Sequence, residues 1–186
     1  MRSDEGFSIL EVLVAIAVLT VALVGLAQLC GVSMRANARA KDATYASLLA
    51  QQKMEQLRGL TWGFDTLGLP LTDTTTNIAG VPESPTGGPG LTPSPPGSLA
   101  SNIDGYCDYV DRNGRVLGGC ASANASAYYV RRWSVEPLPS NPNNTIVLQV
   151  LVAPNVSQGG ADQAGATVAR APNDALVVSV KTRKSS

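Results

Sequence analysis

The sequence contains no histidine, three cysteines at positions 30, 107 and 120, and few aromatic side chains. Without histidine the commonest general base and metal ligand is missing. Three cysteines fall short of the four ligands of a Cys-only zinc site. Charge is sparse and balanced, with 14 basic and 14 acidic residues in 186, so the chain lacks the electrostatic footprint of a nucleic-acid binder. No nucleophile with an orienting base is visible. The expectation is a non-enzymatic protein with no catalytic residue, cofactor, metal or nucleic-acid partner.

Apolar residues are abundant but unevenly placed. Residues 9–32 hold 19 apolar side chains in 24, while the rest of the chain has the composition of one modest globular domain. A run of this length reaches the roughly 20 residues needed to cross a bilayer as a helix. A secretory signal would carry a basic stretch, a shorter apolar core and a small-residue cleavage site beyond it. Here a short polar segment, Met1 to Gly6, is followed at once by Phe7-Ser8-Ile9-Leu10, and Glu11 is the one charged residue within the apolar run. A carboxylate at that depth costs on the order of 2.5–3.5 kcal/mol at a helix centre and less near the interface, which makes Glu11 a functional candidate that needs a partner. The alternative is a side chain that stretches out to the nearby headgroups.

The string Gly6-Phe7-Ser8-Ile9-Leu10-Glu11-Val12-Leu13-Val14-Ala15 resembles the class III leader of type IV pilins and type II secretion pseudopilins. The resemblance implies cleavage by prepilin peptidase after Gly6, methylation of the new amino terminus at Phe7, and use of Glu11 as the carboxylate that pairs with a neighbouring subunit's terminal amine during filament assembly. It also implies a single-pass inner-membrane protein with a periplasmic head, handled by an inner-membrane assembly platform before it enters a filament. The charge count does not give this orientation, because Arg35, Arg39 and Lys41 beyond the span outnumber Arg2 before it.

Good helix formers continue past the membrane segment to residue 59, and no proline occurs before Pro70. Tyr45, Leu48, Leu49, Met54 and Leu57 recur as a stripe expected to face a domain, and Gly59 is the expected helix end. A helix over 7–58 would be about 78 Å long at 1.5 Å per residue. Many major pilins carry a proline within the membrane half; this chain has Gln28 there, with Gly25 and Gly31 nearby. Those glycines are either weak points in the helix or close-packing points for neighbours. Residues 80–97 hold five glycines and six prolines in 18 positions, a composition that sustains neither helix nor ladder.

In the head, Asn113-Gly114 signals a two-residue type I′ hairpin turn. With that turn the residue numbers of opposed pairs total 227, as those of Cys107 and Cys120 do, so a cross-strand disulfide is expected in an oxidising compartment. Asp104, Asp108, Asp111 and Asn113 lie on the same segment, but their spacing is not that of an EF-hand and points to turn chemistry. Strands are expected over 128–136, 145–152 and 176–182, the last with Leu176, Val178 and Val180 inward and Ser179 and Lys181 outward. Alternation sends Arg131 and Arg132 to opposite faces.

The expected fold is α+β: a leader over 1–6, a transmembrane helix over 7–32, its periplasmic continuation over 33–59, an irregular region over 60–102, and an antiparallel β head over 103–186. The resemblance is nearest to PilV-like minor pilins or I-type pseudopilins. It implies a subunit at a filament tip or priming complex whose partners are other pilin subunits. A major pilin, or a membrane-anchored binding protein that does not polymerise, are the alternatives.

Overall fold

The computed structural model describes residues 8–79, 87–121, 124–155 and 173–183. The chain divides into two compact units, one ending at Lys41 and the other beginning at Asp42. Helix α1, Ile9–Gly59, runs unbroken through that boundary. From Ile9 to Val32 the helix is apolar around most of its circumference, with Glu11 its one charge, and every described side chain there is exposed, which fits membrane anchoring.

The second unit contains the rest of α1 and two sheets. Strands β1, Trp62–Phe64, and β2, Pro70–Thr72, form a small antiparallel hairpin within the stretch expected to be irregular. Its turn is built on Asp65, whose carboxylate accepts from the N–H groups of Leu67 and Leu69. Five further strands make the main sheet: β3, Cys107–Val110; β4, Val116–Gly119; β5, Tyr129–Pro137; β6, Thr145–Pro154; and β7, Ala175–Thr182. Their spatial order is β4-β3-β5-β6-β7, and every pairing is antiparallel. The order departs from a simple meander, because β5 pairs with β3 and not with β4. All four residues of β3 are buried, whereas β4 ends in Gly118 and Gly119 and has little to bury, so β3 takes the interior place.

One face of the sheet packs on α1. Trp133, Val135, Ile146, Leu148, Val150 and Val152 meet Ala46, Leu49, Ala50, Met54 and Leu57 in a single core. The helix stripe is rotated from the expected one: Tyr45 and Leu48 are 40% and 56% exposed. The small alanines let the helix approach the sheet closely, and a lysine, Lys53, occupies the centre of the packed face, wholly buried.

Strand β7 also presents the opposite phase to the one expected. Val178 and Val180 are exposed, while Lys181 turns toward the helix end and donates to the carbonyl oxygens of Arg58 and Leu60 at 2.6 and 2.5 Å. The last carbonyls of a helix lack intrahelical donors and carry the negative end of its dipole, so a cation there is well placed. Both parities of Ala175-Leu176-Val177-Val178 are apolar, and this capping contact selects between them. Arg183, just beyond β7, stacks 3.6 Å from the centroid of the Trp62 ring and donates to the Gly63 carbonyl, which ties the small hairpin to the main sheet.

The hairpin between β3 and β4 reaches the expected disulfide by a different path. Its loop has three residues instead of two: Asp111 N–H donates to Arg115 O, Gly114 N–H donates to Asp111 O, and Gly114 has φ +84°. Val110 therefore opposes Val116, and their numbers total 226. A bulge then restores the register, so that Tyr109 opposes Gly118 and Asp108 opposes Gly119. Gly118, with φ +132°, provides the backbone conformation that the bulge needs. Cys107 and Cys120 come opposite each other with Cα atoms 5.6 Å apart and form a disulfide.

That bond closes a ring across 13 positions of sequence. Loops of this size correspond to about 3 kcal/mol in the chain-entropy account. Replacing both cysteines with alanine is expected to lower stability by about 2–4 kcal/mol. Chemical denaturation of the full chain in detergent, followed by tryptophan fluorescence, measures this. A loss below about 1 kcal/mol would mean that the bulged hairpin holds its register without the covalent link.

Candidate functional site

The first candidate region is the start of α1. Ser8 caps the helix: its Oγ accepts from Leu10 N–H at 3.3 Å, and its carbonyl oxygen accepts from the N–H groups of Glu11 and Val12. Glu11 lies in the first turn with its side chain exposed, on a helix otherwise free of charge up to Arg35. Proximity to the helix N-terminus favours a carboxylate there by about 0.3–1 kcal/mol in exposed settings, which is less than the cost of placing one in hydrocarbon. Gly6 and Phe7, the expected cleavage and methylation residues, lie outside the described residues. Thr20 satisfies its hydroxyl within the helix by donating to Ala17 O at 2.8 Å. A Cβ added at Gly25 or Gly31 would meet nothing within 4 Å, and Cys30 is a free, exposed thiol.

The second region is a cluster of three buried charges in the head. Arg131 grips Asp108 side-on, with Nε donating to Oδ1 at 2.7 Å and Nη2 to Oδ2 at 2.8 Å. Lys53 Nζ donates to the same Oδ2 at 2.8 Å and to the Ile78 carbonyl at 2.7 Å, and lies 4.0 Å from the centroid of the Trp133 ring. All three side chains are fully buried. Both cations donate to this carboxylate, and carbonyl oxygens, Gln52 Oε1 at 3.4 Å from Arg131, and the indole face against Lys53 add to the cluster. The cluster joins α1, β3 and β5 at one point and has no open path to solvent. Its geometry is that of a structural pin and offers no place for a substrate.

Sequence reasoning did not single out Lys53 and read Asp108 as part of a turn-forming cluster. The structure separates those acidic residues. Asp111 Oδ1 accepts from the N–H groups of Asn113 and Arg115, and Asp104 accepts from Gly105 N–H, while Asp108 points into the core. Among the described residues no group of three or more His, Cys, Asp or Glu side chains is placed to hold a metal ion. Arg131 and Arg132 do take opposite faces: Arg132 Nε donates to Asn102 Oδ1 at 2.8 Å on the outer side of the sheet, and burial lowers its affinity for the proton.

Aromatic groups gather at the start of the head. Tyr128 OH donates to Asp42 at 3.3 Å, Arg112 stacks 4.4 Å from the Tyr128 ring centroid, and Tyr129 packs edge-on against Tyr128. Burial, with the nearby Asp42 charge, pushes the Tyr129 phenol up to about 12. An open cleft lies between the loops bearing Asn77, Gly87 and Gly88 and the segments bearing Asp104, Gly105 and Gly119; Asp104 is the one titratable group among its lining residues. It has no partner base or nucleophile among them.

The profile of the prokaryotic N-terminal methylation motif matches residues 1–27. No curated protein and no solved structure matches the chain at significance. The motif fits membrane anchoring through the apolar helix, with the head outside the membrane, and a structural subunit in place of an enzyme. In its class III prepilin leader, and in its α+β architecture of one long N-terminal helix and antiparallel sheets, the chain is similar to the type IV pilin and pseudopilin family.

Proposed function

We propose that the chain is a minor pilin or minor pseudopilin. Prepilin peptidase removes residues 1–6 and methylates Phe7, and the mature subunit then joins a type IV pilus or type II secretion pseudopilus at its tip or priming complex. The contacts are made by the apolar half of α1 and by Glu11. Other pilin-like subunits and the inner-membrane assembly platform are its partners, and its role is non-enzymatic. The observation that carries this reading is the leader match over residues 1–27 together with Glu11 as the single charge in the apolar run. An isolated carboxylate in that setting is unfavourable by itself, and a neighbour's terminal amine at similar depth offsets the cost. The absence of a proline in the membrane half favours a minor over a major subunit.

Intact-mass measurement on protein from native membranes tests the processing step. The expected mass is that of a chain starting at Phe7 and carrying one additional methyl group. A mature protein that retains Met1 would remove the basis of the proposal.

A further inference from the structure

Three cations, Arg35, Arg39 and Lys41, follow the apolar run closely, and no acidic residue occurs between Glu11 and Asp42. They continue the same unbroken helix and belong, with the span, to the first compact unit. Arg35 and Arg39 are exposed, and among the described residues no salt bridge engages either of them. Cations on this side of the span run against the usual bias toward the cytoplasmic end. Neither the fold of the head nor the role of Glu11 accounts for them.

Their depth follows from the helix. At 1.5 Å per residue, Arg35 lies about 4.5 Å beyond Val32 along the axis and Arg39 about 10.5 Å. The polar layer of a bilayer is about 5–8 Å deep on each side of the hydrocarbon, so Arg35 starts within it and Arg39 just past it. Side chains on an α-helix lean toward its N-terminus, and here that direction leads back to the bilayer. The four-residue spacing sets both arginines on one face. Their apolar stems can lie against the acyl boundary while the guanidinium groups stay among the headgroups.

From this placement we infer that Arg35 and Arg39, with Lys41 behind them, form a binding surface for anionic phospholipid headgroups in the leaflet on the head side. The lipid supplies a counter-charge that the chain itself does not place there. Basic segments beside a membrane helix are held by anionic lipid in this way, and the attraction fades within a Debye length. The inference rests on residues 9–32 acting as a membrane anchor, and it is the same for a subunit that polymerises and for one that does not.

The full chain reconstituted into phosphatidylcholine vesicles tests it, with spin-labelled phosphatidylglycerol and phosphatidylcholine as the probes. Flotation of the vesicles comes first: a chain that does not float with them overturns the anchoring reading and this inference with it. For a chain that floats, the motionally restricted fraction reports which lipid sits against the helix. At low ionic strength phosphatidylglycerol is expected to be preferred several-fold. At about 1 M salt, where the screening length is about 3 Å, the preference should fall close to unity. Arg35→Gln combined with Arg39→Gln should lose most of the preference at low salt, and the thermal midpoint of the head should not move, since both positions are exposed and lie outside the second unit. Arg35→Lys combined with Arg39→Lys keeps the charge and should retain the preference. No preference in the parent, or an equal preference in the parent and the glutamine variant, overturns the inference and leaves the anchor standing. Loss of the preference in the lysine variant also overturns it, because the attraction then does not follow charge.

Discussion

Replacing Asp108 with asparagine is expected to destabilise the head by about 3–5 kcal/mol, the usual cost of removing one partner from a buried ion pair. Asparagine keeps the volume and one acceptor oxygen, so the change isolates the charge. What remains is two cations, Lys53 and Arg131, fully buried and both aimed at the position the carboxylate held. Carbonyl oxygens, the Gln52 amide oxygen and the Trp133 face also meet these two cations. At about 2–4 °C per kcal/mol for a protein of this size, the thermal midpoint of the full chain in detergent should fall by on the order of 10 °C. Near-ultraviolet circular dichroism reports it, since Trp133 lies in the same core.

The signs within the cluster give a finer test. Lys53→Met removes one of the two cations, leaves the side-on Arg131–Asp108 pair in place and fills the space with an unbranched apolar chain. It should cost less than Asp108→Asn. Combining Lys53→Met, Asp108→Leu and Arg131→Met removes all three charges, and fully apolar replacements of this kind are often neutral or stabilising. The triple variant is therefore expected to recover most of what Asp108→Asn loses. If Asp108→Asn costs under about 1 kcal/mol, water reaches the cluster and the pin is not dry.

This cluster also marks the limit of what the sequence made legible. The long apolar run, the continuous helix and strands β5 to β7 follow from composition and periodicity over many residues. Lys53 does not, because a lysine in a helix ordinarily lies on the solvated face. Its position could have been found from the stripe Ala46, Leu49, Ala50, Lys53, Leu57, which repeats at helical spacing. The larger Tyr45 and Leu48 drew the stripe toward themselves, although small residues mark where a helix comes closest to its sheet. Asp108 was hidden by neighbours: three acidic residues beside an Asn-Gly turn suggest local hydrogen bonding, and two of the three do just that. The disulfide was legible only because two departures cancel. The loop gained one residue and β4 gained a bulge, and neither is encoded by a two-residue turn signal. The phase of β7 was undetermined by pattern, since valines occur at both parities, and a tertiary contact from Lys181 to the helix end decides it.

The second large effect concerns Glu11, and its two readouts should move in opposite directions. Glu11→Leu removes a carboxylate that costs up to about 2.5–3.5 kcal/mol in the bilayer, so the variant should insert into the membrane at least as well as the parent. Under the proposed assembly, however, the neighbour's terminal amine then loses its counter-charge inside the helix bundle. A penalty of about 2–3 kcal/mol per contact is on the order of a hundredfold in the equilibrium for adding a subunit. The membrane pool should stay level or rise while the filament pool collapses, measured as subunits recovered in sheared filaments against subunits left in membranes at equal expression. A Glu11 that merely stretches to the headgroups, or only complements the helix dipole, predicts no such divergence, because either role acts on the monomer alone. Equal filament incorporation by Glu11→Leu and parent would therefore reject the assembly role, even if the intact mass had already shown cleavage and methylation at Phe7. Glu11→Gln separates charge from hydrogen bonding: it keeps an acceptor but cannot neutralise the amine, so it should fall close to Glu11→Leu in filaments.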